Sequence, residues 1–307
     1  MSRHRRSLPG LLLLIGLLGA MGCAAVGVMA APAASPPALV VTLRAPDSRA
    51  DLRNAFIRDA VELALRRTQA SDGPFRLAVT KPMNKTRALL EAARQAEPNL
   101  LVSTGTENGR DAGLVPVRFP IHLGTNRYRV CFVHAPRQPA VRAVDSLAAL
   151  AQLRIVQGRN WADVAVLRAN GLDVAEVGTY DAMFKMVALG RADLFCRNVL
   201  EIGHEIHTHQ GAPGLALEDS LLLSYDLPQY LYTHADNLEA IDRVERGLKL
   251  AFADGSLQDL LRRYMQSSLA LLKLPQRRLI ALQAPASLRV EMDDRPYQID
   301  LLRKPGR

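Results

Sequence analysis

Residues 154–198 read RIVQGRNWADVAVLRANGLDVAEVGTYDAMFKMVALGRADLFCRN, and their pattern decides the fold class. Short apolar runs at 154–156, 174–177 and 193–196 predict strands. Between them Asn160 opens a helix that Gly171 closes, and residues 180–189 form another whose end Gly190 marks. A further helix follows over 199–207. Strands alternating with helices of about ten residues give an α/β chain with a mostly parallel sheet covered on both faces.

The same alternation extends upstream. Residues 39–43 form a β-branched apolar run, and Leu52, Phe56, Ala60 and Ala64 recur at helical spacing. A helix from Asn84 carries Leu89, Leu90, Ala92 and Ala93 and stops before Pro98; strands follow at 99–103 and 128–133, and Ser146 opens a short helix. Downstream, a strand at 229–233 leads to a long helix for which Asp236 and Glu239 make a capping box. Gly255 stops that helix, and Ser256 caps the next, to Met265. Leu288, Val290 and Met292, then Tyr297, Ile299 and Leu301, alternate with polar residues around a turn at 293–296, which predicts a terminal hairpin.

The N-terminus has a different logic. Arg3, Arg5 and Arg6 precede an apolar run over 8–28, and small residues follow at Ala30, Ala31, Ala33 and Ala34. That is the layout of a secretory signal, here 1–30, with an Ala/Pro-rich tether over 31–38. Cys23 within AMGC at 20–23 weakly matches a lipoprotein box, and an uncleaved run would anchor the protein with its bulk outside. Export leaves Cys131 and Cys196 in an oxidising compartment, where one bridge and two buried thiols are both open.

The 307 residues are 49% hydrophobic, 22% charged and 5% aromatic, which excludes a disordered or collagenous chain and a multi-span membrane protein. The formal charge is +9, and loss of the signal arginines would lower it to +6. Arginines are spread along the chain without aromatic interleaving, and a single Trp with seven Tyr and seven Phe offers little to stack on, so nucleic acid is not expected as a partner. There is no Gly-x-Ser-x-Gly elbow, phosphate loop or dinucleotide fingerprint. Glu201, His204 and Glu205 share one helix side, where they could hold zinc, and Glu201 or His204 could act as an acid or base if it faced a cleft. Their spacing departs from His-Glu-x-x-His, and a solvated helix face explains them as well. No metal, cofactor or catalytic residue is therefore assigned.

The order and spacing of five segments carry a resemblance: DLRN at 51–54 through LAL at 63–65; residues 110–124 with LVPVRFPI at 114–121; GRNWAD at 158–163; YDAMFKM at 180–186 with GRADLFCR at 190–197; and residues 201–205. Together they span most of residues 40–285. The chain resembles type II periplasmic solute-binding proteins of the polar amino-acid branch, in a divergent transporter substrate-binding-domain subgroup. The resemblance implies two α/β lobes, each a mostly parallel sheet flanked by helices, joined by two hinge crossings near 123–128 and 223–229. Lobe 1 would take 39–124 and 225–307, the latter including the hairpin, and lobe 2 would take 125–224. It implies a non-enzymatic periplasmic receptor, monomeric, holding a small solute between the lobes for a membrane permease. The alternatives are a sensing or accessory module for an envelope signalling protein, and a degenerate homologue that binds nothing.

Site residues follow from the same resemblance. Arg110 stands where the family keeps an arginine that grips an α-carboxylate, although it also reads as one more surface arginine. Asn160 and Trp161 open the helix resembling the family's anion-facing helix, with core packing as the plain alternative for the Trp. Arg197 and Asn198 replace the family's ammonium-binding Asp. An arginine in the cleft would favour a carboxylated or anionic solute, unless it pairs with Glu201 one turn on. The topology also places Cys131 and Cys196 on neighbouring strands, which implies a disulfide.

Overall fold

Three parallel strands set up the first lobe, and helices return the chain between them. The computed structural model describes residues 37–46, 54–209, 211–288 and 292–303. The expected signal, Cys23, the tether up to residue 36, residues 51–53 of the first matching segment, and Val290 lie outside the described residues. The first-lobe elements are β1 (Leu39–Leu43), α1 (Ala55–Arg67), α2 (Gln69–Asp72), β2 (Phe75–Val79), α3 (Lys85–Ala93), β3 (Leu100–Gly105), α4 (Thr106–Asp111) and β4 (Val115–Pro116). β1 pairs in parallel with both β2 and β3.

The chain then crosses into a second sheet. It contains β5 (Tyr128–His134), α5 (Gln138–Arg142), α6 (Leu147–Leu150), β6 (Arg154–Gly158), α7 (Ala162–Ala169), β7 (Asp173–Val177), α8 (Tyr180–Ala188), β8 (Leu194–Asn198), α9 (Val199–Thr208), β9 (Leu215–Leu217) and β10 (Leu221–Ser224). β8, β6 and β7 are parallel neighbours, and β5 runs antiparallel beside β8. β5 is buried on both faces: Val130 and Phe132 join the cluster under α8 and α9, while Cys131 and Val133 face the α7 side. Cys131 pairs in register with Cys196 of β8, and a disulfide joins them.

A second crossing returns the chain to β11 (Gln229–Thr233), which pairs antiparallel with β3 and β4. α10 (Leu238–Ala253) and α11 (Ser256–Leu272) follow, then β12 (Arg278–Ala281). α10 lies against α1 so closely that a side chain at Gly247 would meet the Ala64 carbonyl oxygen at 2.2 Å. The mixed α/β architecture with two sheets, each flanked by helices and linked by two crossings, is the one the alternating pattern and the resemblance imply.

Four local expectations need correction. The helix after residue 236 has Asn237 as its N-cap with no side-chain cap, because Asp236 is drawn away by Gln95 and His234. α11 continues to Leu272 rather than stopping at Met265, since Leu257, Leu261, Met265 and Leu272 all bury on one stripe. β12 adds to the second sheet beside β10, so part of 225–307 belongs with lobe 2. The second arm of the terminal hairpin is not formed: described residues 292–303 contain a 3-10 turn at Arg295–Tyr297 and no strand. The alternation there arises because one face of a single segment is apolar and the other bonds to the first crossing and the strands beside it. Tyr297, Ile299 and Leu301 pack on the core, while Asp294, Gln298 and Asp300 accept from Tyr230, Arg127 and Tyr128.

Candidate functional site

Arg197 is the penultimate residue of β8, and two carboxylates of α9 meet it. Its guanidinium lies 2.8 Å from Glu201 and 2.7 Å from Glu205, with only 6% of its side chain exposed. The Tyr180 hydroxyl of α8 also donates to Glu205, and Trp161 lies under the guanidinium at 4.9 Å. Burial opposes the charge on Arg197, but the two carboxylates outweigh it and hold its pKa well above the ordinary value. Burial, then Glu205, pushes the Tyr180 hydroxyl up. The cluster has one cation for two anions, so Arg197 does not offer a free positive charge.

A second buried network lies on the other side of β5. Arg129 donates to Asp163 at 3.0 Å, and the Tyr225 hydroxyl donates to the same oxygen at 2.7 Å. Burial alone would raise the Asp163 carboxyl; the Arg129 charge and both hydrogen bonds prevail and lower it. Asp163 sits in the first turn of α7, and Glu176 accepts from the Asn160 N–H at 3.4 Å. That helix end is already supplied with carboxylates, which disfavours an incoming anion.

The expected ligand residues are thus divided. Trp161 and Arg197 come together, but as packing partners: the indole folds over Gly158, where an added Cβ would lie 2.4 Å from the ring. Asn160 is exposed and adopts φ +63°. Asn198 is buried, caps α9 through Leu200 N–H and donates to Asn126 of the first crossing at 2.8 Å. Arg110 stands apart on α4, exposed, and donates to the Ser287 carbonyl at 2.9 Å; among the described residues no carboxylate pairs with it. The sequence pattern anticipated the Arg197–Glu201 pair as an alternative and named Glu205 only as a metal-ligand candidate; it missed Tyr180 as a partner and the Arg129–Asp163–Tyr225 network. Glu205 shares a helix face with Glu201, which was a usable signal; Arg129, Asp163 and Tyr225 meet only through the fold. His204, also in the weighed cluster, is exposed and bonds Thr208.

A pocket of about 460 Å³ opens where the crossings meet the C-terminal segment. His122, Asn126, Arg127 and Gln229 line one side, and Leu288, Met292, Asp294, Arg295 and Gln298 the other. His122 is 7% exposed and stacks on Phe56 at 5.9 Å; burial lowers its pKa to about 4.

No protein-family model matches the chain, and no curated protein sequence does. Solved structures do. An ancestral arginine-binding protein bound to arginine superposes with a TM-score of 0.51 at 12% identity, over 74% of this chain and 98% of its own. A Salmonella typhimurium periplasmic binding protein described for its high arginine specificity superposes with a TM-score of 0.50 at 13% identity, over 74% and 100%. This chain has the type II periplasmic-binding-protein fold. The crossings at 117–127 and 225–228 join the two sheets, and Trp161, Arg197 and Asn198 sit at or just beyond the C-terminal ends of strands, where open α/β sheets present their ligand groups. The residue-level placement above comes from the chain's own geometry, since identities this low carry the fold alone.

Proposed function

We propose that the protein is a solute receptor of the cell envelope that holds a small, polar, carboxylate-bearing molecule between its lobes and passes it to a membrane permease. The observation that carries this reading is the state of Arg110. It is an exposed guanidinium in the last turn of α4, and among the described residues it is held by a neutral main-chain carbonyl. A ligand carboxylate can replace that carbonyl with a charge-assisted, bidentate contact roughly twice as strong. Arg197, by contrast, is consumed by Glu201 and Glu205, so selectivity for anions has no support from that residue. No catalytic role enters the reading.

The test is calorimetric titration with L-arginine, L-glutamate and small monocarboxylates. Arg110→Ala should weaken the tightest of these by roughly 1.5–3 kcal/mol, about tenfold or more. Unchanged affinity would remove Arg110 from the site. A second reading, an accessory module whose cleft is closed by its own chain, is favoured by the contact of Ser287 with Arg110. Absence of any titratable heat across the panel would select it.

A further inference from the structure

The pocket beside the crossings uses none of Arg110, Asn160, Trp161, Arg197 or Asn198 as lining. Two of its buried polar atoms lack a partner among the described residues, His122 Nδ1 and Arg127 Nε. Such atoms are costly when dry and are normally satisfied by water or by a ligand.

The lining also states what kind of ligand would satisfy them. Its ionic groups are two arginines, Arg127 and Arg295, and two aspartates, Asp226 and Asp294. Both arginines are paired with carboxylates, whereas Asp294 is held by neutral donors. Arg127 faces Asp226 at 3.6 Å, Arg295 faces Asp293 at 2.8 Å, and Asp294 accepts from the Tyr230 hydroxyl and from Gln298 Nε2 at 2.7 Å. An anion entering here would lose hydration and find both arginines already paired, and a cation would meet Arg127 and Arg295 beside Asp294. A neutral molecule rich in hydroxyls loses less and gains more: carboxylates accept from it, and Gln229, Gln298 and Arg127 donate to it. A hydroxyl both donates and accepts, so it satisfies His122 Nδ1 in either tautomer of the neutral ring and takes the Arg127 N–H. Burial keeps that ring neutral near pH 7. Pro120, Leu227 and Pro228 supply apolar contact for carbon–hydrogen faces.

We propose that this pocket binds a neutral polyhydroxylated small molecule, a sugar or a sugar alcohol, with His122 and Arg127 as its buried contacts and the segment around Asp294 and Gln298 as its roof. The site is separate from the carboxylate reading of Arg110 and stands or falls without it.

Sugars raise melting temperatures of many proteins by being excluded from the surface, so the readout must be local. D-glucose, trehalose and sorbitol are titrated in turn while the imidazole nitrogen resonances of His122 are followed by NMR, with calorimetry alongside. A saturable shift with one of them is expected, the first two reporting a sugar and the third a sugar alcohol. Gln298→Ala and Arg295→Ala, both changes in the roof, should each weaken the response roughly tenfold. No His122 shift with any of the three would overturn the proposal. So would a shift of equal midpoint in the wild type and in both roof variants.

Discussion

Removing the Arg197 side chain would leave Glu205, 3% exposed, buried against Tyr180 without its counter-ion. Breaking a buried pair from one side costs about 3–5 kcal/mol. Arg197→Ala should therefore lose that much in denaturant unfolding, and Arg197→Lys should recover only part, because a single ammonium cannot span Glu201 and Glu205 together. Equal stability of wild type and Arg197→Ala would show that the cluster is not structural. His122 makes a pH prediction. Its pKa falls from about 6.5 unfolded to about 4 folded, chiefly through burial; Arg129 and Lys85 also lower it, and Glu201 opposes them. A depressed folded value means that the unfolded chain takes up a proton first as pH drops. The stability His122 contributes is complete above pH 6.5 and declines as pH falls towards 4, by roughly 2–4 kcal/mol. His122→Gln should flatten the stability profile in that window; an unchanged slope would refute the assignment. Of these two residues only one was legible in sequence: the i,i+4 spacing of Arg197 and Glu201 announces a pair, whereas nothing around His122 signals burial under Phe56.

Helix α9 of the second lobe meets α11 of the first at Gly203, where an added Cβ would lie 1.7 Å from Ser268 Oγ and 2.8 Å from its Cβ. Both distances are impossible, so Gly203→Ala must push the helices apart. Overpacking of this kind costs roughly 1–3 kcal/mol, against a helix-propensity gain of up to about 1. Ser268→Gly in the same chain should relieve the clash, giving a coupling of about 1 kcal/mol or more in a double-mutant cycle. Additive effects would mean that the helices do not touch here. Elements were legible in proportion to how far local pattern decides them. β6, α7, β7, α8 and β8 follow from apolar runs punctuated by Gly171 and Gly190. β12 did not, because RLIA exposes three of its four residues and becomes a strand only by joining the β10 edge. The C-terminal segment misled for the opposite reason: a clean alternation needs a two-sided environment, and a groove provides one as well as a sheet does.

In the whole molecule, the C-terminal region runs as a strap across the two crossings. β12 extends the second sheet, Leu288 packs with Tyr225 and Leu227, and the chain then returns to the crossings. There Asp294 accepts from Tyr230 of β11, Asp300 accepts from Tyr128 of β5, the Leu123 carbonyl accepts from Ile299 N–H at 2.9 Å, and Tyr297 packs on Phe119 at 4.7 Å. Strands of both sheets are therefore tied to one segment, and Ser287 adds its bond to Arg110. At about 1 kcal/mol net for each hydrogen bond, the two ties to the first lobe, at Tyr230 and Arg110, would hold an open form to something on the order of a few molecules in a hundred, if nothing else distinguished the two forms. The lobes should thus show little of the hinge motion that two simple crossings permit. Labels at positions 90 and 189, both exposed and one in each lobe, should give a single narrow distance distribution that solutes leave unmoved. Deleting residues 286–307 should lengthen and broaden it, and should also free Arg110, tightening any carboxylate that binds there. A full-length chain already spread over open and closed distances would show that the strap yields, and that Arg110 is released by ordinary opening instead.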